Sequence, residues 1–592
     1  MNKNTELSKV KTDLSNKNHI TVTETDYPKL RQIQETFYGL GMPKDFAILP
    51  DGLYSVNHIT LKNEEPFYLL NRVSGYLSIK ANIHDIDYNN WGFLVEYNDL
   101  SGQKHEVIIR KDTFIGKVPA GQDCVTFLAK RGLHIRNETF LMQFFKDFST
   151  ITTKTEITQT GWYNNCFALP GTAMGQDDTA YFNIKTKASS GFVSQGILQT
   201  WKDSIGKYCE QNPKLLFAVS CAFAAPLLRV CGLEGGGFHF YGQSSCGKTT
   251  LLKIASSVCG SPDYIQNWRA TSNGLESVAE SHNDLLLVLD EIGQANSSDI
   301  GETIYMLANG LGKVRSTSKG DPKNVKKWLN LFLSTGESDL ESHMRTSRKT
   351  AKDGQEVRCL SIPAMFDSSK YGIFDNIYDF SNGAEFADYL VSQTTKCYGS
   401  PFLVFLEFLV KHLTETKAEF DEYLAEQKRW LGQNASGIAN RALKRFALVG
   451  FAGEKAIEWG IANWEKGSAT NAYRRLFFEW DTDPNRMSEL DKLKHQVRKF
   501  FETNPDYKTS KFFSQGSLGD TTQYWVSPER FRDDIAVGFD STWAVKELVN
   551  IGWVKRANPK TKRIERKRRC CGCQTTRWMY LFDAIKVFTS EP

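Results

Sequence analysis

The chain has 592 residues, with 73 Lys and Arg against 68 Asp and Glu, for a formal net charge of +5. A surplus so small does not by itself mark a nucleic-acid binder, so the distribution of charge carries more information than its total. The length suits several domains, roughly three to five. Twelve scattered cysteines fit a reducing cytoplasm. The N-terminus lacks the apolar core of a signal peptide. The longest apolar stretch, Leu215 to Leu228, is too short to span a bilayer and contains Pro226, so it reads as a buried helix. The expectation is a cytoplasmic protein with no membrane partner.

Residues 1–40 read as polar and then helical, closing near Gly41-Met42-Pro43. Residues 41–199 read as an α/β accessory module of short strands. Within it, Trp91 to Tyr97 and Glu106 to Ile109 flank the turn signal Asn98-Asp99-Leu100-Ser101-Gly102 and predict a hairpin. No motif in this module names a chemistry.

Residues 200–370 carry the strongest signals and read as a doubly wound α/β core. Gly242-Gln243-Ser244-Ser245-Cys246-Gly247-Lys248-Thr249 has the spacing G-x-x-x-x-G-K-T. A short apolar strand, Phe238 to Tyr241, precedes it, and a helix from Thr250 to Val258 follows. Such a loop lets backbone N–H groups converge on phosphates, and the helix N-terminus adds partial positive charge. Residues 242–250 are therefore the candidate nucleotide contacts. Lys248 is expected to reach the β- and γ-phosphates of ATP, and the Thr249 hydroxyl to hold Mg²⁺.

Leu285 to Leu289 is an apolar run suited to a strand buried on both faces, and it ends in Asp290 and Glu291. At the C-terminal end of a parallel strand, Asp290 would bind the Mg²⁺ and Glu291 would polarise an attacking water. Ile300, Ile304, Leu307 and Leu311 then recur at helical spacing. Between Lys313 and Lys327 lie six basic residues and one acid, around the turn signal Gly320-Asp321-Pro322. This predicts a basic hairpin in which Lys319, Lys323, Lys326 and Lys327 meet nucleic-acid phosphates. Leu329 to Glu337 reads as another buried strand, with Ser334 or Thr335 as a sensor of phosphate state and Glu337 close by.

Residues 371–485 are mostly helical. On the helix Ala439 to Trp459, Arg441 and Arg445 are candidates to project from a lid toward nucleotide. Residues 486–592 read as a winged-helix-like module. Pro528 to Val537 and Ser541 to Asn550 predict its helices, and Trp553-Val554 and Trp578 to Phe582 its wing strands. Between Lys555 and Arg569 are nine Lys or Arg and one acid, a basic wing in which Lys562, Arg566 and Arg568 are candidate nucleic-acid contacts. Cys570, Cys571 and Cys573 raise a zinc reading, but they lack the fourth ligand that a tetrahedral site needs.

These motifs together resemble a known family, the helicase-like ATPases of prophages, plasmids and integrated elements catalogued as domain of unknown function nine-two-seven. The resemblance runs from about residue 45 to the C-terminus. It is carried by Gly161-Trp162, Tyr241 to Leu251, Trp268 to Glu276, Leu289 to Gln294, Tyr305 to Gly310, Leu333 to Glu337 and Gly354 to Arg358. It implies a hexamer-forming P-loop ATPase of the superfamily III and AAA+ kind, with nucleotide held between subunits. Arg358 then becomes the candidate arginine finger, with Arg345 and Arg348 as runners-up. The basic hairpin and wing point to single-stranded or forked DNA as partner, and with no primase motif evident in the N-terminal 200 residues a primase, if present, is expected on a separate chain. Two readings follow, a DNA-translocating helicase of a mobile element, or an ATP-gated assembly switch in a regulatory or phage-defence complex.

Overall fold

The structure is a computed structural model that describes residues 12–16, 19–38, 41–116, 118–119, 121–150, 152–184, 191–294, 300–313, 325–340, 358–365, 369–432, 435–483, 489–503, 513–518, 521–556, 564–569 and 576–589. It is a mixed α/β chain with a helical region. Two five-stranded sheets open it. In the first, His19–Thr23 pairs with Phe67–Ser74, so the chain N-terminal to residue 40 contributes a strand as well as the helix Tyr27–Tyr38. The hairpin expected after Trp91 is present as Gly92–Asn98 against Lys104–Arg110. A small sheet beginning at Gly161–Tyr163 leads into the core.

The central sheet has five strands: β1 (Gly236–Tyr241), β2 (Gln266–Asn267), β3 (Leu286–Asp290), β4 (Leu331–Gly336) and β5 (Cys359–Pro363). Their order is β2-β3-β4-β1-β5, and every pairing is parallel. Alternate residues serve opposite faces, as the pleat requires. Leu286 and Val288 join the core built on the helices Pro213–Ala224 and Lys248–Cys259. Leu287 and Leu289 join Trp268, Leu275, Ile304 and Leu307 on the other face. All four leucine and valine side chains are 0% exposed, and each contributes about 1.5–3 kcal/mol of apolar burial. A continuous apolar run is what a strand covered on both faces needs.

Two elements depart from the sequence pattern. The helix expected to include Leu311 ends as Ile300–Asn309, because Gly310 turns left-handed at φ 70°. Leu311 is 52% exposed and bridges to Lys327 instead. The apolar stretch Leu215 to Leu228 is divided at Pro226, which follows the helix Pro213–Ala224 and precedes Leu227–Val230. A proline removes the backbone donor that a continuing helix would use.

The helical region comprises Gly383–Thr394, Ser400–Lys411, Leu413–Leu431, Gly437–Glu458 and Ser468–Asp481. Its longest helix packs under the central sheet, with Phe446 against Phe217 and Phe238. The C-terminal region has the helices Glu489–Thr503 and Ser541–Asn550 on a sheet that includes Thr521–Val526, Val554–Lys555 and Thr576–Asp583, and Arg566–Arg569 pairs with the last of these. Among the described residues, no helix is long and apolar enough to cross a membrane.

Candidate active site

The site lies along the C-terminal edge of the central sheet. The chain leaves β1 at Tyr241, turns through Gly242–Gly247 and enters the helix Lys248–Cys259. Gly247 caps that helix at φ 101°, a conformation costly for any residue with a Cβ. A Cβ there would also stand 2.8 Å from Ile373 Cγ1. The Gly242 N–H donates to the Gly336 carbonyl at 3.2 Å, which ties the loop to the end of β4.

Lys248 is buried, and its ammonium donates to the carbonyls of Gly242 at 2.8 Å and Gln243 at 2.7 Å. It thereby sits across the loop, where an anionic ligand would compete for the same protons. The Thr249 hydroxyl donates to Asp290 Oδ2 at 3.3 Å. The Thr335 hydroxyl donates to Asp290 Oδ1 at 2.5 Å and accepts from the Glu291 N–H at 3.3 Å. Residues from the helix start, β3 and β4 therefore meet at one carboxylate.

The register explains this meeting. Leu289 pairs with Ser334, so the next step along each strand brings Asp290 to Thr335. The pleat sends Ser334 the other way. Ser334 is buried, accepting from Trp268 Nε1 at 2.9 Å and lying 3.1 Å from His239 Nδ1. Of the two sensor candidates, Thr335 reaches the acidic pair and Ser334 ties β4 to β1 and to Trp268. Glu291 adopts φ 57°, and its Oε1 would lie only 2.9 Å from a Cβ on Gly293. The absent side chain at Gly293 leaves room for the carboxylate.

Thr249, Asp290 and Thr335 form a set of hard oxygen donors. One carboxylate and hydroxyls, completed by phosphate and water, fit Mg²⁺ better than a softer metal. Among the described residues no group of three or more His, Cys, Asp or Glu forms a metal cluster. Cys570, Cys571 and Cys573 lie outside the described residues.

Other candidates gather at the opposite edge of the sheet. Arg358 immediately precedes β5, and its carbonyl accepts from Gly237 N–H at 2.9 Å. A five-residue strand thus separates it from the loop edge by roughly 15 Å. Its guanidinium donates to Asn309 Oδ1 at 3.0 Å and lies 4.3 Å from the Tyr305 ring centroid. Beside it is the base of the basic segment. Leu311 bridges antiparallel to Lys327, and the Gly312 N–H donates to the Lys326 carbonyl at 2.9 Å. The Lys326 ammonium is held by Ser277 Oγ at 2.9 Å and Glu280 at 2.7 Å. Lys319 and Lys323 lie outside the described residues, as do Arg345, Arg348 and Lys562.

Arg445 takes a different place from the one its helix suggested. It is buried beneath β1, donating to the Gly235 carbonyl at 3.0 Å, and burial lowers its pKa to about 10. It is at the edge away from the phosphate loop and supports the start of β1. Arg441 is exposed and lies 3.4 Å from the Gly437 carbonyl of its own helix. In the C-terminal sheet, the Arg566 guanidinium donates to the Arg556 carbonyl at 2.6 Å, and Arg568 pairs with Arg577 in the ladder.

Sequence reasoning assigned no role to His239, Trp268 or Asp284. Trp268 was visible only as part of the stretch Trp268 to Glu276; its N–H lies 3.4 Å from the Asp290 carbonyl. Asp284 is fully buried, accepting from Arg229 at 2.8 Å and from the Trp162 N–H at 3.0 Å. It anchors Gly161-Trp162 to the core, and a Cβ at Gly161 would clash with its carboxylate.

Residues 46–327 match the family model described as "Domain of unknown function (DUF927)". No curated protein matches the chain. Among solved structures the chain is similar to "SCCmec type IV Cch - active helicase", with a TM-score of 0.58 over 93% of this chain and 99% of that one. The two are 16% identical in sequence, so the likeness is one of fold.

Proposed function

We propose that this chain, whose residues 46–327 match the DUF927 family model, is an ATP-driven DNA translocase, a helicase or close relative serving a phage, plasmid or integrated element. The observation that carries the reading is the convergence of Thr249 and Thr335 on Asp290, with the Glu291 N–H on the same Thr335 hydroxyl, beside a lysine held in a glycine-bounded loop.

In this mechanism the loop N–H groups and the helix N-terminus bind the β- and γ-phosphates of ATP. Lys248 exchanges its loop carbonyls for phosphate oxygens. Thr249 and Asp290 would hold Mg²⁺, which would supply charge neutralisation of the phosphates. Glu291 accepts a proton from the attacking water, which forms its bond to the γ-phosphorus as the bond to ADP breaks. Thr335, joined to both acids, positions β4 according to whether the γ-phosphate is present.

Arg358 is too far from its own loop to serve it, so it acts on the site of a neighbouring subunit in a ring, a hexamer by resemblance. The basic hairpin rises from the same edge, and its lysines grip a single DNA strand. The C-terminal winged-helix-like module engages forked or duplex DNA, and any primase is a separate protein. The AAA+-type reading is supported by the parallel order β2-β3-β4-β1-β5 and by the fold likeness to a protein titled an active helicase.

The deciding experiment is ATP hydrolysis with and without single-stranded DNA at two salt concentrations, with Lys248→Ala as control. Stimulation that weakens with salt and vanishes in the variant is expected. Hydrolysis indifferent to DNA would instead favour the assembly switch.

A further inference from the structure

Successive side chains of a strand serve opposite faces, and on β1 Phe238 and Phe240 join the core around Phe217. His239 takes the other face and is fully buried, at a position where a central parallel strand ordinarily carries Val, Ile or Leu. A buried imidazole is tolerated there when its ring nitrogens find partners. Nδ1 lies 3.1 Å from the hydroxyl of Ser334, which is also the partner of His239 in the ladder. Nε2 lies 3.1 Å from the Ser338 carbonyl. A carbonyl only accepts, so Nε2 carries a proton and donates it there. The two nitrogens hold different things: Nδ1 holds β4 itself, and Nε2 holds the turn that follows it.

We propose that His239 is a positioning residue for ATP hydrolysis, acting through the turn Gly336-Glu337-Ser338. The proposal rests on the reading of this site as an ATPase. The turn meets the site at two points. The Gly336 carbonyl accepts from the Gly242 N–H at the start of the phosphate loop. The preceding residue, Thr335, donates to Asp290 and accepts from the Glu291 N–H. Gly336 has no spare room, since a Cβ there would stand 2.5 Å from Ile292 Cγ2 and 3.0 Å from His239 Cε1. Ile292 follows Glu291 directly, so the histidine ring and the acid-bearing loop bear on the same glycine. Pinning the Ser338 carbonyl keeps that glycine, and with it the first N–H of the phosphate loop, in fixed relation to Glu291. Attack on the γ-phosphate depends on this relation. Nucleotide affinity is carried by the other loop N–H groups and Lys248, and does not.

The test measures kcat and KM for ATP on the full chain, with urea unfolding of each variant alongside. His239→Asn keeps an acceptor near the place of Nδ1 and is too short to reach Ser338, whereas His239→Gln carries an N–H to the place of Nε2. The Asn variant is expected to lower kcat about tenfold or more, with KM within about twofold of the parent. The Gln variant is expected to recover kcat to within about threefold of the parent, although both variants unfold at lower urea. A parental kcat in the Asn variant overturns the assignment while leaving the ATPase reading intact. So does a Gln variant no faster than the Asn variant, which would mark packing alone. Where His239→Asn does not fold, Gly336→Ala presses on the same turn with the histidine in place. A kcat lowered about tenfold is then expected, and unchanged turnover overturns the proposal. A parent chain without ATP hydrolysis overturns the ATPase reading itself.

Discussion

The two edges of the central sheet are built differently. At the C-terminal edge, short polar side chains at the ends of three elements share one carboxylate, Asp290. At the N-terminal edge, long cationic side chains are held by an amide, a ring and a carbonyl, with Arg358 on Asn309 and Tyr305 and Arg445 on Gly235. Short side chains fix distances closely and suit chemistry. Long ones reach outward and suit contact with something beyond the subunit. One sheet can therefore carry a reaction on one side and its coupling on the other.

The largest expected effects test whether the first edge is the chemical one. Lys248→Ala or Asp290→Asn should reduce ATP turnover to background, by more than about a thousandfold, with the unfolding midpoint little changed. Arg358→Ala should lower turnover by about a thousandfold in a pure sample. Mixing it with Lys248→Ala subunits should restore part of the rate, because some interfaces then pair an intact loop with an intact arginine. Recovery absent at every mixing ratio would break the division between the edges.

Within β4 the contrast is finer. Thr335→Val should slow turnover by about tenfold, because Asp290 and the Glu291 N–H lose a shared partner. Ser334→Ala should leave turnover nearly intact and reduce stability by about 1–2 kcal/mol, because a buried indole N–H loses its acceptor. Steady-state kinetics and urea unfolding of the two variants check the pair.

A last effect acts on stability alone and concerns His282, which caps the C-terminal end of the helix Ser272–Ser281. Burial lowers its pKa from 6.5 to about 4, so the folded protein holds it neutral where the unfolded chain would protonate it. The stability this contributes is present above the unfolded value and is lost as pH falls from 6.5 toward 4, by at most about 3 kcal/mol. Urea unfolding at about pH 7 and about pH 5 should show the loss, and His282→Gln should flatten it.

Much of the core was legible because its signals are local. The expected strand ending at Tyr241 is Gly236–Tyr241, the helix from Thr250 to Val258 is Lys248–Cys259, and the run before Asp290 is Leu286–Asp290. Each follows from a contiguous apolar pattern or a turn that only certain residues allow. The choice between Ser334 and Thr335 was not legible, since it depends on the register of β3 against β4. Arg445 was misread because helical spacing gives a face but not what that face meets. The pairing of His19–Thr23 with Phe67–Ser74 was hidden for a related reason, since strand partners far apart in sequence leave no periodic trace.

Glu291 holds its backbone at φ 57°, where a residue with a side chain is destabilised by roughly 1–2 kcal/mol. Glycine or asparagine would occupy that conformation at less cost. A population of variants selected only for heat resistance should therefore drift away from glutamate at this position, and one selected for turnover should return to it. The acid's persistence under both pressures would mean that the loop, and not the residue, sets the strain.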